Sequence, residues 1–257
     1  MRRAILAPAA LLAALVATGC AGAPAAAPST AAERELQVFA AASLTGTFTE
    51  LAEAFEADHP GVTVQLNFDG SSGLATQIVE GAPAGVFAAA NTTTMEQVVD
   101  AGLTAGGPEL FARNVLEIAV PAGNPAGIEG FADLASPDVV LVVCAVEVPC
   151  GAATAAVEEA TGVVLAPVSE ENAVTDVLGK VTSGEADAGL VYATDVRSAG
   201  DAAEGIPFDE AEEALNDYPI TALAGAADPA LAQEFVDFVL GDEAQGVLAD
   251  AGFLSAE

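Results

Sequence analysis

From Leu36 almost to the C-terminus, short apolar segments alternate with segments whose apolar residues recur at helical spacing, and this alternation confines the chain to an α/β fold. Residues 36–42 read as a buried strand. The stretch from Leu44 to Asp58 places Phe48, Leu51, Ala52 and Phe55 along one helical face. Residues 62–68 alternate apolar and polar side chains, as a half-covered strand does. Residues 70–73 (GSSG) read as a loop, followed by a short helix over 74–80. Further strands are expected at 86–90, 115–120, 139–145 and 188–192, with helices at 94–101, 152–161, 172–183 and 229–251. Strands separated by helices pair in parallel through crossovers, so the expected architecture is a mixed, mostly parallel sheet flanked by helices. With 53% hydrophobic and only 17% charged residues, there is ample material for a core, and disorder is excluded.

In open α/β sheets ligands bind beyond the carboxyl ends of strands, so the strand-to-helix junctions carry the functional signal. Ser43 follows the first strand at a position suited to an N-cap. Ser71 and Ser72 occupy a second junction, Pro149-Cys150-Gly151 a third, and Asn172-Ala173-Val174 a fourth. Each helix start offers unpaired backbone N–H groups and a partial positive charge, so several facing one cleft would bind an anion without any cation. Tyr192 ends a strand and reads either as a donor into such a cleft or as a core aromatic. Cys144 and Cys150, six apart, are an even pair that reads as a disulfide in an oxidising compartment or as two buried thiols.

The N-terminus supports export. Arg2 and Arg3 precede an apolar run over residues 4–17, which ends in Ala17-Thr18-Gly19-Cys20. The run is shorter than the ~20 residues that span a bilayer, so residues 1–19 are expected to be a signal peptide rather than a retained helix. Cys20 after Thr-Gly resembles the lipobox of bacterial lipoproteins and would become the lipidated first residue. Residues 20–34, rich in Ala and Pro, read as a tether. Cleavage there leaves 4 basic against 38 acidic side chains, a formal charge of 4 − 38 = −34. Such a surface repels phosphate backbones and anionic headgroups, so nucleic acid is excluded as a partner, and membrane contact is expected only through the lipid.

The segments VFAAASLT (38–45), FDGSSGLATQI (68–78), GAPAGVFAAA (81–90), VPCG (148–151) and GLVYATD (189–195), in that order, resemble the periplasmic molybdate-binding proteins of ABC importers. The resemblance runs from Leu36 to Phe253. It implies a two-lobe periplasmic binding protein fold of type II with the ligand cleft at the hinge. Lobe 1 would hold residues 35–113 and 219–257, and lobe 2 residues 114–218. It further implies that molybdate or tungstate is held by Ser43, Ser71, the backbone at Cys150 and Val174, and the Tyr192 hydroxyl, the metal being reached only through its oxygens. An ABC permease with its ATPase would be the partner. The resemblance implies no cofactor and no enzymatic step, and a monomer is the default expectation. Cys150 stands where many relatives have Ala, a change a backbone contact tolerates.

The residues alone support this chemistry, because a deprotonated tetrahedral dianion presents only acceptors and so calls for a site of donors. A Cys144–Cys150 bridge would stiffen one wall of it. Another oxyanion such as sulfate or phosphate on the same fold is the nearest alternative. Asp69 is the carboxylate that could accept a proton from hydrogen phosphate, although it also suits a turn cap. A secreted serine hydrolase would need His59, the only histidine, as base, yet residues 70–74 lack the spacing of a nucleophile elbow. Arg113 is placed near a lobe crossing, and Lys180 reads as a solvated helix face. Because the long-range field opposes an approaching anion, oxyanion association is expected to accelerate as salt is added. Stopped-flow mixing across ionic strengths checks this, and an on-rate that falls with salt would reveal a positive patch near the site.

Overall fold

The computed structural model describes residues 34–256. The expected signal peptide, Cys20 and all but the last residue of the tether lie outside the described residues. Arg34, expected to end the tether, is the first residue of a strand and pairs with Asp228 at 2.8 Å.

The first half of the chain forms β1 (Arg34–Ala41), a 3-10 turn (Ala42–Leu44), α1 (Thr45–Asp58), β2 (Val62–Asp69), α2 (Ser71–Val79), β3 (Val86–Ala88), α3 (Thr92–Asp100) and β4 (Glu109–Asn114). Next come β5 (Leu116–Pro121), β6 (Leu141–Cys144), α4 (Pro149–Thr161), β7 (Ser169–Glu171), α5 (Val174–Thr182), β8 (Ala188–Tyr192), α6 (Ala193–Ala199) and β9 (Ala203–Ile206). The chain closes with β10 (Asn216–Ala222), α7 (Pro229–Leu240) and α8 (Asp242–Ala251).

Two five-stranded sheets result, ordered β2-β1-β3-β10-β4 and β7-β6-β8-β5-β9. Both are mixed. In the first, β1 runs parallel to β2 and β3, while β10 is antiparallel to β3 and β4. In the second, β6 runs parallel to β7 and β8, while β5 is antiparallel to β8 and β9. Of the antiparallel strands, β5 matches the strand expected at 115–120, whereas β4, β9 and β10 come from segments the periodicity did not reveal. The chain passes from first sheet to second across Val115 and returns between β9 and β10. Tyr218 already pairs with Ala112 of β4, so the return to the first sheet precedes Pro219.

Packing follows the apolar faces read from sequence. On α1, Phe48 and Phe55 are fully buried and meet Phe235 of α7 at 6.2 and 5.1 Å between ring centroids, while Phe48 also meets Phe111 of β4 at 5.8 Å. The opposite face of the first sheet is covered by α2 and α3 through Leu74, Ile78, Met95 and Val98. In the second sheet, α5 lies so close to β8 that a Cβ on Gly189 would stand 2.6 Å from Val177 Cγ1.

Several sequence expectations change at the helix starts. Residues 71–73 are the first turn of α2, and 149–151 the first turn of α4, where Pro149 fits because the first helical residue needs no N–H donor. Ser43 is not an N-cap: it lies inside the 3-10 turn, and α1 begins after Leu44 without a side-chain cap. The C-terminal helix breaks at Gly241. Lys180 is not simply solvated, for it is paired with Glu171 of β7 and donates to Ser169 at 3.0 Å, drawing the Glu171 carboxyl below its usual range.

The β6–α4 connection is tight enough to require glycine at 151, since a Cβ there would stand 1.9 Å from the Ala145 carbonyl oxygen and 2.6 Å from that of Cys144. Gly151→Ala is expected to cost about 1–3 kcal/mol of stability. Denaturant unfolding measures this, and an unchanged midpoint would contradict the close approach.

Candidate functional site

The junctions singled out in the sequence meet at one small cleft. Ser43, Ser71, Cys150, Val174 and Tyr192 all line it, together with Ala41, Ala42, Gly70, Ala90, Val148 and Pro149. The space open to the centre of a water-sized sphere is only about 10 Å³, and no lining residue is charged. Its walls come from both sheets: Ser43 and Ser71 follow β1 and β2, whereas Cys150 and Val174 open helices of the second sheet and Tyr192 ends β8.

Three helices begin at this cleft without a capping side chain. The N-cap residues of α2, α4 and α5 are Gly70, Val148 and Ala173, none of which makes a side-chain cap bond. Elsewhere the chain does cap: Asn91 accepts from the Thr94 N–H at the start of α3, and Asp228 from the Leu231 N–H at α7. Apolar N-caps such as Val148 and Ala173 are poor choices for helix stability, since a Ser, Asp or Asn there is typically worth ~1 kcal/mol, whereas glycine in that place costs only a few tenths. Here all three N-caps leave the first-turn N–H groups of their helices directed at the cleft. The first backbone bonds of α2 and α4 are made by Leu74 to Gly70 and by Ala152 to Val148, so the Ser71 and Cys150 N–H groups lie ahead of them.

Side-chain hydroxyls complete the donor set. Ser71 is 1% exposed, and its Oγ accepts from the Ala90 N–H at 3.0 Å, which leaves the hydroxyl hydrogen free to donate. Ser43 Oγ lies 2.9 Å from the Tyr218 hydroxyl. The Tyr192 hydroxyl is buried without a hydrogen-bond partner, an uncommon state for a group that normally finds one. Burial pushes the Tyr192 phenol well above its ordinary pKa, so it stays a donor. Beneath it, Asp195 accepts from the Tyr192 N–H at 3.0 Å, and burial raises its carboxyl to about 7, limiting the negative charge next to the cleft at neutral pH.

One wall is covalently tied. Cys144 at the end of β6 and Cys150 in the first turn of α4 form a disulfide, with Cα atoms 5.7 Å apart.

The other candidates fall away from the cleft. Asp69 accepts from the Gly70 N–H at 2.7 Å, as a turn cap does, and is not among the lining residues. Nδ1 of His59 meets the Phe55 carbonyl at 2.8 Å, and its ring stacks on Phe55 at 4.0 Å, so it serves the end of α1 and touches no serine. Arg113 pairs with Asp217 at 2.7 Å between β4 and β10. Among the described residues no cluster of His, Cys, Asp and Glu could hold a metal ion, and no helix is long and apolar enough to cross a membrane.

Three contributions were not visible in sequence, although Ser72 itself was already placed at the second junction. Ser72 donates to the Glu147 carbonyl across the cleft. Asn216 Nδ2 reaches the Ala90 carbonyl at 2.8 Å and the Pro149 carbonyl at 3.4 Å, one from each side. Tyr218 stands behind Ser43. All three act through tertiary approach, which residue spacing does not encode.

Gly70 allows the two sides to meet, because a Cβ there would stand 1.9 Å from the Asn172 carbonyl oxygen. Its backbone (φ −56°, ψ 133°) suits any residue, so the clash is confined to the opposite wall. Gly70→Ala is expected to fold with little change in melting temperature yet bind its ligand at least tenfold more weakly. Calorimetric titration beside a melting curve checks both, and wild-type affinity would rule out this closed arrangement.

A family model described as a bacterial extracellular solute-binding protein matches residues 36–254. The Molybdate-binding protein ModA of Mycobacterium tuberculosis (strain ATCC 25618 / H37Rv) is 48% identical over 245 residues, covering 95% of this chain and 94% of that protein. The solved Azotobacter vinelandii periplasmic molybdate-binding protein superposes with a TM-score of 0.72 at 23% identity, over 86% of this chain and 100% of that one. The sulfate-binding protein SubI from Mycobacterium tuberculosis H37Rv also superposes at 0.72, with 19% identity over 87% and 88% of the two chains. At these identities the two structures speak for the fold alone.

Proposed function

This chain belongs to the bacterial extracellular solute-binding protein family, and from that premise we propose that it captures molybdate or tungstate and delivers the ion to an ABC permease and its ATPase. The observation that carries this reading is an uncharged cleft lined by two serine hydroxyls, an orphaned tyrosine hydroxyl and the uncapped starts of three helices. Such a cleft presents donors on every side, and a fully deprotonated tetrahedral ion presents acceptors on every side. Ser43, Ser71 and Tyr192 would donate from side chains, Cys150 and Val174 from backbone N–H groups. The protein carries the ion without a chemical step.

In this reading lobe 1 is built on the first sheet and lobe 2 on the second, and the two close on the ion about the crossings at Val115 and between β9 and β10. Residues 1–19 direct export, Cys20 carries the lipid that holds the protein to the outer face of the cell membrane, and residues 20–33 tether the monomer to it.

Sulfate is the second reading, favoured because it too is a fully deprotonated tetrahedral ion and the cleft holds no carboxylate. Hydrogen phosphate is disfavoured, since its proton needs an acceptor and no carboxylate lines the cleft.

Titration of the purified protein with molybdate, tungstate, sulfate and phosphate separates these readings. Tight binding of the first two is expected, whereas a response to sulfate or phosphate alone would overturn the choice of ion. Ser43→Ala and Ser71→Ala are each expected to cost about 1.5–3 kcal/mol of binding free energy with the fold retained. Normal affinity in both variants would remove the site assignment.

A further inference from the structure

The two serines of the cleft are held by different partners. Ser71 Oγ accepts from a backbone N–H, that of Ala90, which cannot reverse its direction. Ser43 Oγ meets the Tyr218 hydroxyl at 2.9 Å, and between two hydroxyls either can donate. Asn114 breaks that symmetry. Its Oδ1 accepts from the Val115 N–H at 3.0 Å, which turns Nδ2 toward Thr194 Oγ1 at 2.8 Å and, at a longer 3.5 Å, toward the Tyr218 hydroxyl oxygen. Tyr218 therefore receives a donor on its oxygen, and within 3.5 Å the acceptor facing its own hydrogen is Ser43. Tyr218 is fully buried, and burial pushes its phenol far above the ordinary range, which keeps that hydrogen in place.

We infer that Tyr218 is a positioning residue that commits the Ser43 hydroxyl to donate into the cleft, and thereby biases the site toward fully deprotonated oxyanions. The chain of donors runs from the Asn114 amide through Tyr218 to Ser43 and then to the ion. It gives Ser43 the fixed polarity that Ala90 gives Ser71. A serine hydroxyl free to turn could accept a proton from hydrogen phosphate, whereas one already receiving from Tyr218 points its hydrogen at that proton.

The inference rests on the proposed oxyanion-binding function, and its test is built to tell the two apart. Wild type, Tyr218→Phe, Ser43→Ala and the double variant are titrated with molybdate, with inorganic phosphate as competitor, and their melting temperatures are recorded. Tyr218→Phe is expected to weaken molybdate roughly tenfold, with the double variant no weaker than Ser43→Ala and the preference for molybdate over phosphate reduced. Wild-type molybdate affinity in Tyr218→Phe, or losses that add in the double variant, would overturn the inference alone. A wild type that does not bind molybdate would overturn the proposed function and the ion preference inferred here. Should Tyr218→Phe fail to fold, Tyr192→Phe leaves Tyr218 as the single tyrosine of the chain. Its Raman tyrosine doublet then distinguishes a phenol that donates from one that only accepts. A donor signature is expected, and an acceptor signature would overturn the inference.

Discussion

The buried backbone N–H groups at the starts of α2, α4 and α5 impose the constraint on which the rest of this structure depends. A buried donor that finds no acceptor costs about 1–3 kcal/mol, and here several are gathered where the chain supplies no capping side chain. Helix stability alone would have favoured Ser, Asp or Asn at 70, 148 and 173, as it did at Asn91 and Asp228. Everything around the cleft serves the same purpose: alanines keep its walls small, Gly70 lets the opposite side approach, and the Tyr192 hydroxyl is left unpartnered within it.

The strongly acidic surface and the proposed anion site are compatible because they act over different distances. Formal charge is −32 for the whole chain, but surface carboxylates are screened over roughly 8 Å, whereas hydrogen bonds and helix-end dipoles act at contact. A site made of neutral donors also avoids the desolvation that a buried Lys or Arg would require. Asp195 is the nearest buried carboxylate to the cleft, and its raised pKa moderates the repulsion it would otherwise exert.

Much of this was legible in the sequence. The strands at 36–42, 62–68, 139–145 and 188–192 were readable from their apolar residues, and the junctions after them carry Ser43, Ser71, Cys150 and Tyr192, while Val174 opens the helix expected at 172–183. The strands that escaped did so for physical reasons. β7 is three residues of Ser and Glu, β9 holds a glycine, and β10 contains Pro219, which a strand tolerates here because the pairing register shifts between Tyr218 and Pro219. The helix starts at 71 and 149 were hidden by residues that look like loop formers and are in fact suited to a first turn. Tyr218, Asn114 and Asn216 lie on strands far from the cleft in sequence, so their roles exist only once β4 and β10 are paired.

The Cys144–Cys150 bridge holds down a part of α4 that would otherwise fray. Opening turns of helices are the easiest to disorder, and a ligand that relied on such a turn would have to order it at each encounter. With the turn fastened to the end of β6, that loss of entropy occurs once, when the protein folds and oxidises, and does not recur with each cycle of capture and release. The wall of the cleft that carries the Cys150 N–H thus remembers its shape between ligands.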